Sequence, residues 1–328
     1  MKEKWFVGVD IGGTAIKLAF VNEEGHIIRK WQLPTNKANH GAFIPKEIAA
    51  SIRVHIEQLG ESFTKLVGLG VGAPAFIDMG NDFVLEAVNI GWRNYPLKEM
   101  LEKATGLSTV IDNDANVAAL GELWKGAGVG AKHILCLTLG TGIGGGVILD
   151  GKIYHGANGM AGEIGHYIVS PVDGVRCNCG KTGCIETVAS ATGIVRLAKE
   201  RLAKGKASLL TLEKNVSAKA VFQALEQGDQ LAKAVVEDAM ERLGLVIANL
   251  SSALNPEKII IGGGVSKAGE HLLAPLRRSF STYALPRVQE GATFVLAKLG
   301  NNAGVIGAAS LVKNAYLQGE KNNKSSKK

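Results

Sequence analysis

Long apolar runs are missing from this chain. Its longest stretch without a charged side chain, Ile134 to Leu149, is rich in glycine and too short to span a bilayer comfortably. No amino-terminal export signal is visible, because Met1-Lys2-Glu3-Lys4-Trp5 runs straight into a strand-like segment. Aromatic residues are sparse at 5%, and no aromatic-basic stripe, basic helix or zinc-finger spacing marks a nucleic-acid surface. The formal net charge of +7 does not alter this, since Lys321, Lys324, Lys327 and Lys328 supply four of the positive charges. They lie in a segment with no apolar residue, and a solvated, disordered basic tail is expected over 320–328. Cysteines number four in 328 residues, and without an export signal such thiols belong in a reducing, cytoplasmic compartment.

What is present indicates a compact globular protein: 46% apolar and 20% charged residues, in a chain long enough for two domains. Three of the cysteines fall in Cys177-Asn178-Cys179-Gly180-Lys181-Thr182-Gly183-Cys184, a group whose odd count cannot close as disulfides. With His166 they form H-x10-C-x-C-x4-C, a Cys3His donor set suited to tetrahedral zinc. Four protein ligands leave no open position, so such a metal is structural. Zinc on one ring nitrogen of His166 fixes a proton on the other, which makes it a rigid donor for a ligand hydroxyl. Glu163 and Glu186 flank the same knot, either as acceptors for further hydroxyls of a polyol or as ordinary solvated carboxylates.

A glycine-rich hairpin signature occurs once in each half. Trp5–Ile11 runs through Gly12-Gly13-Thr14 into Ala15–Val21, and His133–Leu139 runs through Gly140-Thr141-Gly142 into Gly144–Leu149. Each reads strand, glycine turn, strand, which suggests two related domains. Asp10 ends the first strand, where Gly12, Gly13 and Thr14 offer backbone and hydroxyl donors to an anion. Lys17 on the outgoing strand can screen phosphate charge and Asp10 can hold hydrated magnesium; a plain hairpin with surface charges is the alternative. Gly140 to Gly145 spells G-x-G-x-x-G, but a strand follows it where a dinucleotide fold needs a helix. A second phosphate loop at Gly140-Thr141-Gly142 is the better reading. Gly174 to Thr182 mimics a P-loop with five residues between its glycines instead of four, and zinc ligands occupy it. Strand-like Lys258–Ile261 runs into Gly262-Gly263-Gly264, bare backbone against which an adenine or ribose can lie.

Helical patterning over 42–59, 97–105, 115–125, 188–202, 218–226, 231–254, 268–282 and 303–315 alternates with strand-like runs. That predicts an α/β fold. The expected division is a small domain of 1–118 with 304–319 and a large domain of 119–303 carrying the knot, with a ligand cleft between the halves and the last helix packed back on the first domain. Asp112-Asn113-Asp114-Ala115-Asn116 follows a strand and opens a helix. Asp114 there is either a helix N-cap or a general base, with Asn113 orienting a substrate hydroxyl.

In this order the motifs resemble the ROK sugar kinases of the actin-like ATPase (ribonuclease-H-like) superfold, and among them the bacterial glucokinases. The carriers are Asp10–Thr14, Val71-Gly72-Ala73-Pro74, Asn113–Asn116, Leu139–Gly146, Glu163–His166, the Cys177–Glu186 knot and Ile261–Gly264, spread over residues 5–312. Asn178, where glycine is usual, and Lys181-Thr182, where glycine-arginine is typical, depart from the pattern without touching a ligand position. The resemblance implies that Gly72, Asn113, Asp114, Glu163, His166 and Glu186 read a hexose, and that Asp114 takes the proton of its 6-hydroxyl. Asp10, Gly12, Gly13, Thr14, Lys17, Gly140, Thr141, Gly142, Gly262, Gly263 and Gly264 would serve ATP and its magnesium, while His166, Cys177, Cys179 and Cys184 hold structural zinc. It also implies domain closure on sugar and a dimer or tetramer, with no nucleic-acid or membrane partner. Mannose, fructose and N-acetylmannosamine stay open as substrates. A ROK-type regulator is the other class, although the motif at Asp10 leaves no room for a preceding helix-turn-helix.

Overall fold

The computed structural model describes residues 3–78, 80 and 83–325. The chain opens with β1 (Trp5–Ile11), β2 (Ala15–Asn22), β3 (Ile27–Pro34) and α1 (Ile44–Gln58). It continues through β4 (Leu66–Ala73), β5 (Phe76–Asp78), β6 (Phe83–Ala87), β7 (Trp92–Tyr95), α2 (Leu97–Thr105), β8 (Thr109–Asn113) and α3 (Asp114–Lys125). Then come β9 (Ile134–Leu139), β10 (Ile143–Leu149), β11 (Lys152–Ile153), α4 (Glu186–Ala189), α5 (Ala191–Leu202), α6 (Ala218–Glu226) and α7 (Gln230–Leu254). The last elements are β12 (Lys258–Gly262), α8 (Glu270–Tyr283), α9 (Pro286–Gly291), β13 (Thr293–Leu296) and α10 (Ala303–Ser325).

Two units result. The first comprises 1–129, 155–161 and 301–328, the second 130–154 and 162–300. The two main sheets share one topology: β3-β2-β1-β4-β8 in the first unit and β11-β10-β9-β12-β13 in the second. In both, a meander of three antiparallel strands is followed by two strands parallel to the first. The repeat expected from the two glycine hairpins is therefore a repeat of whole sheets.

In the first unit, strand alternation sends Trp5, Val7, Val9 and Ile11 of β1 to one face, against Ile44, Ile48, Ile52 and Ile56 of α1. Phe6 faces the other way, towards Val305, Ala309 and Val312 of α10. Gly8 and Gly70 lie on that second face because α10 comes too close for a side chain: a Cβ would sit 1.9 Å from the Val305 carbonyl oxygen and 1.7 Å from that of Ala308. The last helix thus packs on the first unit, as expected. In the second unit Leu135, Leu137 and Leu139 of β9 build the core with α5, α6, α7 and α8.

The structure departs from the sequence expectation in four places. The first unit extends to 129 instead of 118, because α3 docks on α10 along its length: a Cβ on Gly121 would meet Ala303, and one on Gly307 would meet Val117. The segment 155–161 belongs to the first unit although its neighbours on both sides belong to the second. The helix expected over 188–202 is broken at Ser190, whose extended backbone (ψ 169°) ends α4 and whose hydroxyl caps α5 through Gly193 N. The tail expected to be disordered from 320 is helical to Ser325; Lys4 bonds both Tyr316 and Glu320, which ties this end of α10 down. Residues 326–328 lie outside the described residues. A three-stranded sheet, β5-β6-β7, was not legible as such in the sequence.

Candidate functional site

In the first unit the predicted residues collect at the carboxyl ends of three parallel strands. Asp10 of β1 stands level with Gly72 of β4, and Gly72 with Asp112 of β8, while Ala73 pairs Asn113. Strand ends of this kind are where α/β sheets take ligands, since backbone groups there are no longer used by the ladder. The Gly12–Thr14 turn is closed by Gly12 N donating to Ala15 O at 3.0 Å. Thr35, the residue after β3, buttresses it by donating its hydroxyl to Gly12 O (2.6 Å) and its N–H to Thr14 O (3.0 Å). Lys17 faces Asp10 across the hairpin, Nζ to Oδ2 3.4 Å, so the cation and the carboxylate flank the turn together.

Where β8 passes into α3, Asn113 is the N-cap: its Oδ1 accepts from Ala115 N at 2.8 Å and Asn116 N at 3.4 Å. Asp114 is the first helical residue, and its Oδ1 also accepts from Ala115 N at 2.8 Å. The capping alternative for Asp114 is thus taken over by its neighbour. Asn113 is further fixed by donating Nδ2–H to Ala75 O at 3.3 Å. The positive end of α3 favours an anionic side chain at Asp114.

In the second unit the loop Gly140–Gly142 joins β9 to β10. Gly140 N donates to Gly142 O, and the break before α5 lets Ala191 N donate to Gly140 O, both at 2.9 Å. Thr192 adds a hydroxyl bond to Thr141 O at 2.7 Å. Glu186 fixes the same loop: its Oε2 accepts from Ile143 N at 2.9 Å and fills the place a Cβ of Gly142 would need, 2.2 Å away. Gly262 of β12 pairs Thr138 of β9, and Gly263, at φ 82°, lies against the Leu139 backbone. The two predicted nucleotide segments of this unit are therefore adjacent.

The knot is assembled as its spacing suggested. One ligand atom from each of His166, Cys177, Cys179 and Cys184 lies within 4.8 Å of all the others. Cys179 and Cys184 have their sulfurs 3.6 Å apart, and Cys177 Sγ is 3.7 Å from His166 Nδ1. A tetrahedral zinc with ordinary bond lengths needs edges of about 3.6–3.8 Å. Burial, with the neighbouring thiols, pushes Cys184 up to about 12, so three thiolates at this spot call for a cation. With Nδ1 turned to the sulfurs, His166 presents Nε2 to Glu163, 3.8 Å from Oε2. Burial raises the Glu163 pKa, the nearby Glu186 charge adds to this, and His166 opposes it. Glu186 also lies 3.8 Å from Cys177 Sγ, which links knot, loop and carboxylate pair.

A family model described as ROK family matches residues 6–315. This chain belongs to the ROK family. It is 54% identical over 327 residues to a glucokinase of Halalkalibacterium halodurans, covering 98% of this chain and 99% of the relative. A glucokinase of Thermotoga maritima is 39% identical over 312 residues, covering 94% and 96%. Among solved structures, a ROK glucokinase from Streptomyces griseus in complex with glucose and AMPPNP superposes with a TM-score of 0.77 at 39% identity, covering 94% of this chain and 98% of that one. The two repeated sheets are those of the two-domain actin-like ATPase fold of this family.

Two residues around this ROK chain's candidate site carry little signal in the sequence. Thr35 buttresses the first hairpin from the residue after β3, and a lone threonine carries no signal of that. Asp112 is buried to 1% exposure and accepts from Asn113 N (2.7 Å), Asn116 Nδ2 (2.9 Å) and His155 Nε2 (2.8 Å). An aspartate at the end of the strand-like run Thr109-Val110-Ile111 is its one visible signal. An open hollow of about 550 Å³ on the first unit, lined by Phe76, Leu85, Glu86, Arg93, Asn94, Asn158 and Met160, holds none of the predicted site residues. No helix among the described residues is long and apolar enough to cross a membrane.

Proposed function

We propose that this chain is an ATP-dependent glucokinase, transferring the γ-phosphoryl group of ATP to the 6-hydroxyl of glucose. The observation that carries the reading is the Asp114 carboxylate, set at a strand-to-helix turn in a chain 54% identical to a glucokinase over nearly its whole length. Asp114 takes the proton from the 6-hydroxyl as that oxygen bonds to the γ-phosphorus; the bond from phosphorus to the bridging oxygen breaks and ADP leaves. Asn113, Glu163, His166 and Glu186 bind the sugar hydroxyls, with the Gly72 backbone beside them. His166 suits a donor role because its Nε2 faces away from the sulfurs, and Glu163 and Glu186 are carboxylate acceptors on either side of the knot.

The N–H groups of the turns Gly12–Thr14 and Gly140–Gly142, with the Thr14 and Thr141 hydroxyls and Lys17, bind the phosphates. Gly262, Gly263 and Gly264 leave bare backbone for the nucleoside. Asp10 would supply a hard oxygen to magnesium, which would offset the charge of the transferred group. His166, Cys177, Cys179 and Cys184 would hold a structural zinc, which would supply rigidity and no chemistry. We also assign the chain a cytoplasmic location and a dimeric or tetrameric state.

The test is ATP-dependent turnover coupled to ADP release on glucose, mannose, fructose, N-acetylglucosamine and N-acetylmannosamine. Dominant glucose turnover is expected. Preference for another hexose keeps the mechanism and changes the substrate. Absence of turnover on every sugar, with folded and metal-loaded protein, overturns the kinase reading and favours a sugar-responsive regulator.

A further inference from the structure

Asp112 is the most deeply buried carboxylate beside the proposed base, yet neither proton transfer nor ligand contact falls to it. Its Oδ1 is satisfied locally, by Asn113 N and Asn116 Nδ2 on the turn that presents Asn113 and Asp114. Its Oδ2 is reached from 43 residues away, by His155 Nε2 at 2.8 Å. His155 begins the segment 155–161, which lies in the first unit between two stretches of the second. That strap folds on itself, with Ala161 N donating to His155 O at 3.1 Å. Glu163 follows two residues after it.

We propose that Asp112 and His155 are positioning residues of the kinase reaction: their bond holds the turn carrying Asn113 and Asp114 and anchors the strap that leads into Glu163 and His166. This rests on the glucokinase reading above. A buried carboxylate oxygen deprived of its donor cannot stay where it is without cost, so it draws on new partners and moves the Asn113 amide with it. Asp114 is then displaced by a fraction of an ångström, and the far end of the strap is released. Both effects fall on glucose and neither falls on the nucleotide turns.

The test compares His155→Phe, which keeps the ring volume but has no N–H, with His155→Gln, which restores a donor at similar reach. Steady-state constants are measured well below the melting temperature, beside wild type. For His155→Phe, kcat/KM for glucose falls by about tenfold to a hundredfold, while KM for ATP stays within about twofold. His155→Gln recovers most of the loss. Hydrogen exchange at the amides of 112–116 and 155–161 speeds up together in His155→Phe and not in His155→Gln. Wild-type kinetic constants with only a lowered melting temperature would reduce the bond to a structural one and overturn the proposal. Equal losses in the two variants would overturn it as well, because the N–H would not be the cause. If His155→Phe does not fold, His155→Ala takes its place. Wild-type turnover with unaffected variants overturns this inference alone, whereas no wild-type turnover on any sugar overturns the kinase reading with it.

Discussion

Replacing Gly70 with alanine tests the seat of α10 on the first sheet. The added Cβ would lie 1.7 Å from the carbonyl oxygen of Ala308, whereas ordinary contact begins at 3.4 Å. The obstacle is backbone, so no rotamer relieves it, and helix or strand must retreat by about 1.7 Å. Retreat opens the layer formed by Phe6, Ala19, Val21, Val305, Ala309 and Val312, all buried. Overpacking of this kind costs about 3 kcal/mol or more, which in a unit of this size lowers the melting temperature by about 6–12 °C. A control lies on the same helix. Gly319 is exposed and its Cβ would meet nothing within 4 Å, so Gly319→Ala should gain up to about 1 kcal/mol from helix propensity. Thermal melting followed by circular dichroism reads both. A Gly70→Ala protein that melts within about 1 °C of wild type would refute the close approach. A Gly319→Ala protein with no gain would argue against the helix continuing past the segment anchored by Tyr316.

Asp114→Asn should lose about 10²–10⁴-fold in kcat while glucose binding, followed by calorimetry, persists; near-normal kcat eliminates Asp114 as the base. Removing the metal by Cys179→Ala or by a chelator should abolish zinc in elemental analysis and raise KM for glucose by about tenfold or more, through loss of the His166 and Glu186 positions. Full activity in metal-free protein would contradict a structural zinc. The bond His155 donates to the Asp112 carboxylate holds His155 above its ordinary value, burial opposing it. Its stabilisation is then complete below about pH 6.5 and is lost as pH rises through the higher folded value. The melting-temperature gap between wild type and His155→Gln should therefore be widest in acid and shrink towards alkaline pH. A gap independent of pH would remove the charge from the interaction.

Much of the candidate site's local geometry was legible because its residues are close in sequence. The knot is one tight loop plus His166, and glycines at 180 and 183 with φ near 80° let its sulfurs converge. The two glycine turns are hairpins, whose strands pair with their nearest neighbours in the chain. At α3 the spacing leaves Asp114 open between helix cap and base: asparagine and aspartate both cap helices, and only the extended backbone of Asn113 (ψ 147°) makes that residue the cap. For Glu186 the sequence leaves a hydroxyl acceptor and a solvated carboxylate open, and its grip on Ile143 N depends on a contact 43 residues away.

Composition, glycine placement and donor spacing thus determined by themselves the α/β class, the doubled hairpin and the Cys3His set, because each is a property of a short segment. Tertiary structure alone decided that α3 and α10 close the first unit. It decided too that the strap 155–161 belongs there, and that Asp112 meets His155. Those outcomes turn on which distant backbones fit against Gly8, Gly70 and Gly121 and on which buried carboxylate finds a donor. Both are settled by packing between segments that no local pattern links.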